Sequence, residues 1–241
     1  ALTLLVGDRK IKLRSNDHGY VDYFPLSGFG PPLLQLNVHL ELEEASYRAP
    51  TWDGTLPVYD GGPGLGVISD IDDTVLDSNV VNKAKMVQNA LTRSTWELQA
   101  FPDAARVLSD YARGRPLFYI SGSPWGFRER IQGFFARSGF PDGPLLLKRF
   151  SSDPTFDQEA YKKKHIDGVV NSLPQKRWLL FCDSGERDPE IYRRLQQEQP
   201  DRVAAIYIHW VTADREPRNS PRFAGMTVFE HWNELPPPPS D

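Results

Sequence analysis

A short apolar segment that runs into closely spaced carboxylates is the feature that most restricts how this chain can fold. Residues 61–64 are rich in glycine and proline, and the apolar pair at 67–68 that follows them predicts the end of a buried strand. Asp70, Asp72 and Asp73 come directly after that strand. Because open α/β sheets bind ligands beyond the carboxyl ends of their strands, the sequence predicts a functional site at the mouth of such a sheet.

The spacing of these acids indicates metal-assisted chemistry. Neighbouring carboxylates repel one another unless a cation joins them, and hard oxygen donors at this density suit Mg²⁺. Asp70 and Asp72 share one face of an extended strand, so one carboxylate could attack phosphorus while the other moves protons. The alternative is an acidic turn without a ligand, since aspartate is common in turns.

Three later segments reinforce the catalytic interpretation. Residues 119–125 end an apolar run in Ser-Gly-Ser, residues 143–147 contain three consecutive leucines, and residues 183–192 begin with an acidic turn. Together with residues 69–74, and in the same order, they resemble the motifs of the haloacid dehalogenase phosphatase superfamily. Within it they are most similar to the actin-patch-associated phosphatidate phosphatase family and its bacterial relatives. The resemblance covers about residues 60–215 of the chain.

This resemblance implies an α/β fold with a Rossmann-like, doubly wound parallel sheet and a minimal cap over the site. It implies that Asp70 is the nucleophile, that Asp72 is the general acid and base, and that Ser121 contacts the phosphoryl oxygens. The implied ligands of Mg²⁺ are Asp70, the backbone carbonyl of Asp72 and Asp183. Asp188 is expected to bind the metal through water or to orient a lysine, although Asp-Pro is also a good helix start.

A cation is expected to offset the charge of the phosphate and the nucleophile. Counting back from the last motif, the resemblance assigns this role to Lys162, while Lys163, Lys164 and Lys148 remain candidates. Lys148 follows the three leucines and is alternatively expected to contact the substrate. Ser123 is expected to cap the helix that follows the Ser-Gly-Ser segment.

Composition narrows the classes of function. The net charge of −4 shows no basic footprint for nucleic acid, and the single Cys182 excludes an intramolecular disulfide framework. No apolar run reaches the roughly 18–20 residues that a transmembrane helix needs. We therefore expect a cytoplasmic protein, with a peripheral position at a membrane as the alternative, and the sequence leaves the oligomeric state open.

The chain divides into three predicted regions. Residues 1–60 are expected to form a small all-β, sandwich-like domain, residues 61–235 the haloacid dehalogenase-like phosphatase domain, and residues 236–241 a proline-rich tail that acts as a linker. Residues 34–42 alternate apolar and polar side chains, which predicts a half-buried strand. Turns are predicted at three places, namely residues 16–19, 28–32 and 52–54.

Two further segments each allow more than one interpretation. The helical pattern between residues 77 and 100 predicts either a small cap or a plain connecting helix, and the polar loop 151–158 is a candidate mobile segment. Trp125 either lines a substrate pocket or packs, and packing is favoured.

The combined prediction is a Mg²⁺-dependent phosphomonoester phosphatase that works through an aspartyl-phosphate intermediate. The resemblance implies phosphatidate or a related lipid phosphate at a membrane surface as the substrate. The alternatives are a phosphatase of a soluble phosphoester or phosphoprotein, and a membrane- or protein-binding module with weak activity.

Overall fold

The computed structural model describes the chain with gaps. The described residues are 2–6, 9–13, 35–42, 52–57, 59, 61–77, 98–149, 153–154, 157–211 and 216–241. The chain divides into two compact units, Ala1–Gly61 and Gly62–Asp241. The predicted cap segment falls largely on residues 78–97, and the predicted turns at 16–19 and 28–32 also lie outside the described residues.

The first unit contains an antiparallel sheet. Its four strands are β1 (Leu2–Val6), β2 (Arg9–Leu13), β3 (Gln35–Leu42) and β4 (Trp52–Pro57), in the order β2-β1-β3-β4. Strand β3 matches the strand predicted from its alternating pattern. The described strands of this unit form one sheet, and the second layer of the predicted sandwich is not among them.

The turn predicted at residues 52–54 is wrong. These residues open strand β4, where Gly54 lies opposite Val38 of β3. The Asp-Gly pair that favours a turn is held extended because β3 supplies partners for its backbone groups. Strand pairing thus overrides the local preference of the sequence.

The second unit alternates strands and helices. Among its described residues, the strands and helices in chain order are β5 (Gly64–Ser69), α1 (Ala104–Ala112), β6 (Leu117–Pro124), α2 (Arg128–Ser138), β7 (Leu145–Lys148), α3 (Gln158–Ser172), β8 (Lys176–Asp183), α4 (Asp188–Glu198), β9 (Val203–His209) and β10 (Thr227–Phe229). Short 3₁₀ helices span Trp125–Phe127, Pro200–Arg202, Pro221–Phe223 and Trp232–Glu234.

The six strands of this unit form one parallel sheet in the order β10-β9-β8-β5-β6-β7. Strands β6 and β7 are added on one side of β5. The chain then crosses back, and β8, β9 and β10 are added on the other side of β5. Because parallel crossovers are right-handed, this reversal brings helices to both faces of the sheet. The predicted α/β, doubly wound fold is confirmed, and β5 and β8 lie side by side at the point where the order reverses.

Large apolar side chains fill the space around the central strands. Val67 and Ile68 of β5 and Leu179 and Phe181 of β8 are fully buried, as expected for strands covered on both faces. Gly66 is required by this packing, because a Cβ atom there would lie 2.6 Å from the indole ring of Trp178. The rigid core fixes the carboxyl ends of β5 and β8, from which the acidic residues extend.

The proline-rich C-terminal residues pack on the second unit. The hydroxyl of Tyr111 donates to the carbonyl of Pro236 at 2.8 Å, and Arg115 Nε lies 2.8 Å from a carboxylate oxygen of Asp241. Arg115 also donates to the carbonyl of Pro239. The linker role of residues 236–241 stays a prediction; in this structure two of their backbone carbonyls accept hydrogen bonds, one from Tyr111 of α1 and one from Arg115, which follows α1. None of the described helices is both long and apolar enough to cross a lipid bilayer.

Candidate active site

Asp70 lies immediately beyond the carboxyl end of β5, near the centre of the parallel sheet. Its amide N–H donates to the carbonyl of Phe181 on β8 at 2.9 Å, so the sheet still fixes the backbone at this residue. The side chain is buried, with Oδ2 accepting a hydrogen bond from Thr74 Oγ1 at 3.1 Å. The other oxygen, Oδ1, lies 3.1 Å from Lys162 Nζ. Both carboxylate oxygens are therefore held in one orientation.

Lys162 brings a buried positive charge to this carboxylate from the second turn of α3. Its ammonium donates to Asp70 at 3.1 Å, to Glu186 Oε2 at 3.0 Å and to Asp188 Oδ2 at 2.5 Å. All three hydrogens of the ammonium are thus directed at carboxylates, which fixes the position of the charge.

The other candidate lysines have different partners. Lys163 lies on the surface and pairs with Asp167 and Glu198, at 3.1 Å and 3.3 Å. Lys164 pairs with Asp153 at 2.8 Å. Lys148, at the end of β7, is buried with its ammonium 5.6 Å from the centre of an aromatic ring of α3. Among the four lysines weighed from the sequence, Lys162 is the one whose described contacts reach the acids beyond β5.

Asp183 and Asp188 complete a group of buried carboxylates. Asp183 ends β8, and Asp188 begins α4 after a tight turn. One ligand oxygen from each of these residues and from Asp70 lies within 4.8 Å of the others. The two aspartates predicted from the last motif therefore meet the predicted nucleophile in space.

The two oxygens of Asp183 are in different situations. Oδ1 accepts hydrogen bonds from the backbone N–H groups of Gly185 (2.5 Å) and Glu186 (3.1 Å). Oδ2 is buried and has no hydrogen-bond partner in the part of the chain that the structure describes. A buried carboxylate oxygen without a partner is costly, so its environment suits a ligand that supplies positive charge.

The donor set of this cluster fits a divalent cation. The ammonium of Lys162 contacts Asp70, Asp188 and the half-exposed Glu186, and Asp183 lies close to Asp70 and Asp188, so within the described residues four carboxylates lie around one ammonium. Hard oxygen ligands without nitrogen or sulfur are the set preferred by Mg²⁺ and Ca²⁺ over softer metals. Asp70, Asp183 and Asp188 could therefore hold a divalent metal ion.

Burial and like charges shift the protonation of these groups. Burial raises the pKa of Asp183 to about 8, assisted by the negative charges of Asp188 and Glu186. Burial also raises the pKa of Asp70 and of Asp188, while the Lys162 ammonium opposes both shifts. For Lys162, burial acts to lower the pKa, but the surrounding carboxylates outweigh it and raise the pKa well above its usual value. Lys162 therefore carries a positive charge. Burial and the neighbouring negative charges disfavour the ionised forms of the three aspartates.

Asp72 lies apart from the buried cluster. Its carboxylate is half-buried, and Oδ2 accepts hydrogen bonds from Ser121 Oγ at 2.7 Å and Ser123 Oγ at 2.9 Å. Ser121 Oγ also accepts from the backbone N–H of Ser123 at 2.9 Å. In this structure, Ser121, the predicted ligand of a phosphoryl oxygen, thus donates its hydroxyl hydrogen to Asp72, the predicted acid–base residue.

The prediction that Ser123 caps the following helix is wrong. Strand β6 continues through Ser123 to Pro124, where it pairs with Lys148 of β7 after a register shift. The serine hydroxyl is directed at Asp72 instead, because the chain stays extended past the Ser-Gly-Ser segment. Trp125 opens the 3₁₀ helix that follows and is 42% exposed, which differs from the packed position favoured from the sequence.

Glu186 and Gln158 are site residues that the sequence interpretation did not single out. Glu186 contacts Lys162 and accepts a hydrogen bond from Gln158 Nε2 at 2.6 Å. A Cβ atom at Gly122 would lie 2.8 Å from that same amide nitrogen, so a larger residue there would displace the end of the Gln158 side chain. The sequence did contain a signal for Glu186, because this acid lies between Asp183 and Asp188 in the acidic turn.

His209 connects the turn after β5 to the far side of the sheet. Its Nδ1 lies 2.7 Å from the carbonyl of Asp73, and its Nε2 lies 3.1 Å from the carbonyl of Glu230. Asp73 has a positive φ of 56° and is not part of the carboxylate cluster. Burial lowers the pKa of His209, while the contacts with the two carbonyls act against this shift. The ring joins these two backbone segments.

Comparison with known proteins gives one family match. The sequence model of the family described as "Phosphatidate phosphatase APP1, catalytic domain" matches residues 65–210, which is more than half of the chain. That range includes Asp70, Asp72, Lys162, Asp183 and Asp188.

Two curated fungal proteins are similar over most of this chain. It is 28% identical over 181 residues to "Phosphatidate phosphatase APP1" of Saccharomyces cerevisiae, covering 72% of this chain and 30% of that protein. It is 27% identical over 169 residues to "Uncharacterized protein C29B5.04c" of Schizosaccharomyces pombe, covering 66% of this chain and 27% of that protein. The chain thus spans less than a third of the length of either relative.

Among solved structures, one similar chain comes from "Structure of Pnkp1/Rnl/Hen1 complex". The two share 15% sequence identity with a TM-score of 0.43. The match covers 71% of this chain and 57% of that one.

Proposed function

Because this chain belongs to the family of the phosphatidate phosphatase APP1 catalytic domain, we propose that it is a Mg²⁺-dependent phosphomonoester phosphatase. The observation that carries the proposal is the meeting of Asp70 with Lys162, Asp183 and Asp188 beyond the ends of β5 and β8. A nucleophilic carboxylate, a fixed ammonium and a set of metal-ligating oxygens are the components that phosphoryl transfer requires.

In the proposed first step, the carboxylate of Asp70 attacks phosphorus in line with the ester oxygen. The new bond joins Asp70 to phosphorus, and the bond between phosphorus and the ester oxygen breaks. Asp72 gives its proton to the leaving oxygen. Thr74 and Lys162 support this role of Asp70, since they hold its two oxygens in a fixed orientation and so reduce the entropic cost of the attack.

In the second step, water hydrolyses the aspartyl-phosphate. Asp72, now a carboxylate, takes a proton from the water, whose oxygen attacks phosphorus while the bond to Asp70 breaks. Inorganic phosphate leaves, and Asp70 is restored as a carboxylate. The hydrogen bonds from Ser121 and Ser123 support this role, because they hold Asp72 apart from the buried acids in a half-exposed position that water can reach.

Asp70, Asp183 and Asp188 would hold the Mg²⁺ ion together with the backbone carbonyl of Asp72. When bound, the ion offsets the charge of the phosphoryl oxygens and of the attacking carboxylate. Lys162 provides a second fixed positive charge for the phosphoryl group, and Ser121 is the proposed hydroxyl ligand of a phosphoryl oxygen. The excess of buried carboxylates around one lysine supports a bound cation.

We propose phosphatidate, or a related lipid phosphate presented at a membrane surface, as the substrate. The support is family membership and the name of the yeast relative, to which the chain is similar over 181 residues. The protein would then work from the aqueous side of a lipid surface, as a cytoplasmic or peripheral enzyme. A soluble phosphoester or a phosphoprotein uses the same chemistry at phosphorus and is distinguished by experiment.

The test measures phosphate release from phosphatidate in detergent micelles beside a soluble aryl phosphate, with Mg²⁺ or with EDTA, for the wild-type chain and Asp70→Asn. The proposal expects Mg²⁺-dependent release that favours the lipid and is lost in Asp70→Asn. Cleavage of the soluble ester alone would overturn the lipid assignment and keep the mechanism. Asp70→Asn activity equal to wild type would overturn the mechanism.

A further inference from the structure

Arg222 makes a set of contacts that the sequence and the family match leave unassigned. It lies in the 3₁₀ helix Pro221–Phe223, beyond the end of the matched region at residue 210. Its guanidinium donates to the backbone carbonyls of Ser184 and Glu186. The same group forms a two-point contact with Glu190, from Nε to Oε1 at 2.6 Å and from Nη2 to Oε2 at 2.9 Å. One side chain therefore joins the acidic turn to the first turn of α4.

The carbonyl of Ser184 is a mechanically important partner, because it belongs to the same peptide group as the N–H of Gly185. In a planar trans peptide the C=O and N–H point in opposite directions. When Arg222 holds the carbonyl on one side, the Gly185 N–H is aimed at the other side, where Asp183 Oδ1 accepts it. The guanidinium thereby sets the direction of the backbone donor that anchors Asp183.

The anchoring of Oδ1 decides where the second oxygen of Asp183 points. With Oδ1 bound to two backbone N–H groups, Oδ2 stays buried and has no hydrogen-bond partner among the described residues, while one oxygen of Asp183 lies within 4.8 Å of ligand oxygens of Asp70 and Asp188. A turn that relaxed would let the carboxylate rotate toward solvent or toward Lys162. The metal-binding geometry of Asp183 thus depends on the shape of a turn that Arg222 holds.

Arg222 is itself fixed by α4 and by its own helix. Arg193 of α4 donates to the carbonyls of Arg222 and Ala224, each at 2.9 Å. Ser220 Oγ accepts from the backbone N–H of Arg222 at 3.2 Å. The segment that carries Arg222 is therefore held by the same helix that begins with Asp188. Both the backbone and the guanidinium of Arg222 are thus fixed in position.

We infer that Arg222 is a positioning residue for the metal site, holding the turn between Asp183 and Asp188 in the shape that presents Asp183 Oδ2 to a divalent cation. The inference rests on the proposed function in so far as that function places a metal there. It adds a residue outside the matched motifs, acting through the backbone rather than by touching substrate or metal.

The experiment compares metal binding by variants of the full chain. Arg222→Lys keeps a positive charge near Glu190 but loses the planar fork that reaches two carbonyls, and Arg222→Gln also removes the charge. Glu190→Gln loosens the anchor while leaving Arg222 in place. The matched control is Arg218→Lys, since Arg218 also contacts a backbone carbonyl, of Val228, and a carboxylate, but nothing in the acidic turn. The probe is MnCl₂ alone, with unbound Mn²⁺ counted by electron paramagnetic resonance.

We expect Arg222→Lys to raise the dissociation constant for Mn²⁺ by about tenfold or more, the usual size of effect for residues that orient metal ligands. Glu190→Gln should raise it by a smaller factor, and Arg218→Lys should leave it within about twofold of wild type. In the phosphatase assay, the activity lost in Arg222→Lys should return at high Mg²⁺ concentration, which a merely structural defect would not produce. Thermal unfolding of each variant identifies those that are folded, and Arg222→Lys and Glu190→Gln carry the test if Arg222→Gln does not fold.

Folded Arg222→Lys and Glu190→Gln variants with wild-type Mn²⁺ affinity would overturn the inference, as would an equal loss of affinity in Arg218→Lys. A wild-type chain that binds no Mn²⁺ would overturn it together with the proposed Mg²⁺ dependence. A wild-type chain that binds Mn²⁺ but releases no phosphate would overturn the proposed activity alone, because the effect of Arg222 on binding is still measured.

Discussion

Replacing Lys162 by methionine is the sharpest test of how the carboxylate cluster is held together. Methionine keeps most of the length and the apolar stem of lysine but removes the ammonium. In the native chain that ammonium lies within 3.1 Å of Asp70, Glu186 and Asp188, and both Asp70 and Asp188 are buried. The substitution therefore leaves two buried carboxylates without their cation.

The expected loss of stability follows from the burial of the partners. Removing one member of a buried ion pair costs about 3–5 kcal/mol, since the remaining charge is left uncompensated. The contact with Glu186, whose side chain is 43% exposed, adds little because solvent screens it. We expect Lys162→Met to lower the free energy of unfolding by about 3–5 kcal/mol in the absence of divalent metal. Bound Mg²⁺ should restore part of the loss, because it stabilises only the folded state.

The adjacent residue on the same helix provides a matched control. Lys163 is 36% exposed in its side chain and pairs only with carboxylates at the surface, so Lys163→Met should change stability by less than about 1 kcal/mol. Denaturant unfolding with EDTA and with Mg²⁺ measures both variants, and phosphate release measures activity. Lys162→Met should lose at least about a hundredfold in kcat, the typical cost of removing one preorganised charge.

Equal stability and equal activity in the two methionine variants would refute this reasoning. A loss of stability in Lys162→Met without any recovery in Mg²⁺ would show that the ammonium matters but that no cation shares its role. The pair of lysines thus separates the electrostatic account of the cluster from its metal chemistry.

Three further substitutions each test a single contact in the second unit. Gly66→Ala should lower the free energy of unfolding by about 1–3 kcal/mol in thermal or denaturant melts, because its Cβ would lie 2.6 Å from Trp178. Ser123→Ala should reduce kcat about tenfold, since Asp72 loses one of two hydroxyl donors worth about 1.5 kcal/mol. Asp153→Asn should cost about 1–3 kcal/mol at neutral pH. Burial raises the pKa of Asp153, but an ammonium and a backbone N–H outweigh it and hold that pKa below 3.8.

The sign of the last effect makes it checkable by a pH series. A carboxylate whose pKa is lower in the folded state stabilises the protein above its unfolded pKa, and this contribution is lost as pH falls. The difference between wild type and Asp153→Asn should therefore shrink below about pH 3.8. A difference that stays constant down to pH 2, an unchanged melt for Gly66→Ala, or a wild-type kcat for Ser123→Ala would contradict the respective contact.

The sheet and the position of its acids were predictable because they follow from local patterns. Apolar runs such as residues 178–182 are long enough to be buried strands, and each is followed at once by polar or acidic residues. In a parallel sheet the carboxyl ends of neighbouring strands lie at one edge. Asp70 and Asp183 therefore lie close together because β5 and β8 are adjacent. The resemblance implied a shared metal site for Asp70 and Asp183, while the adjacency of β5 and β8 is seen only in the structure, because no single segment of the sequence encodes the strand order.

The choice among three consecutive lysines needed information on the face of the helix. Successive residues of a helix differ by about 100° in direction, so only one of the three can face the site. Lys162 lies one turn before Ile166, and two turns before Val169 and Val170, all of which are buried. This spacing was a readable signal for Lys162. No sequence pattern indicated a role for Arg222, because its partners lie 32 to 38 residues away in sequence and are mostly backbone carbonyls.

The two aspartates of the first motif end in different surroundings although they are two residues apart. Asp70 is buried against an ammonium and two further acids, while Asp72 is half-exposed and held by two serine hydroxyls from β6. Covalent phosphoryl transfer asks for such a division, because the nucleophile must be charged and fixed while the acid–base residue must exchange protons with the leaving group and with water. A single acidic turn would thereby supply both proposed functions, since β5 ends at Ser69 and the turn beyond it leaves Asp70 buried and Asp72 half-exposed.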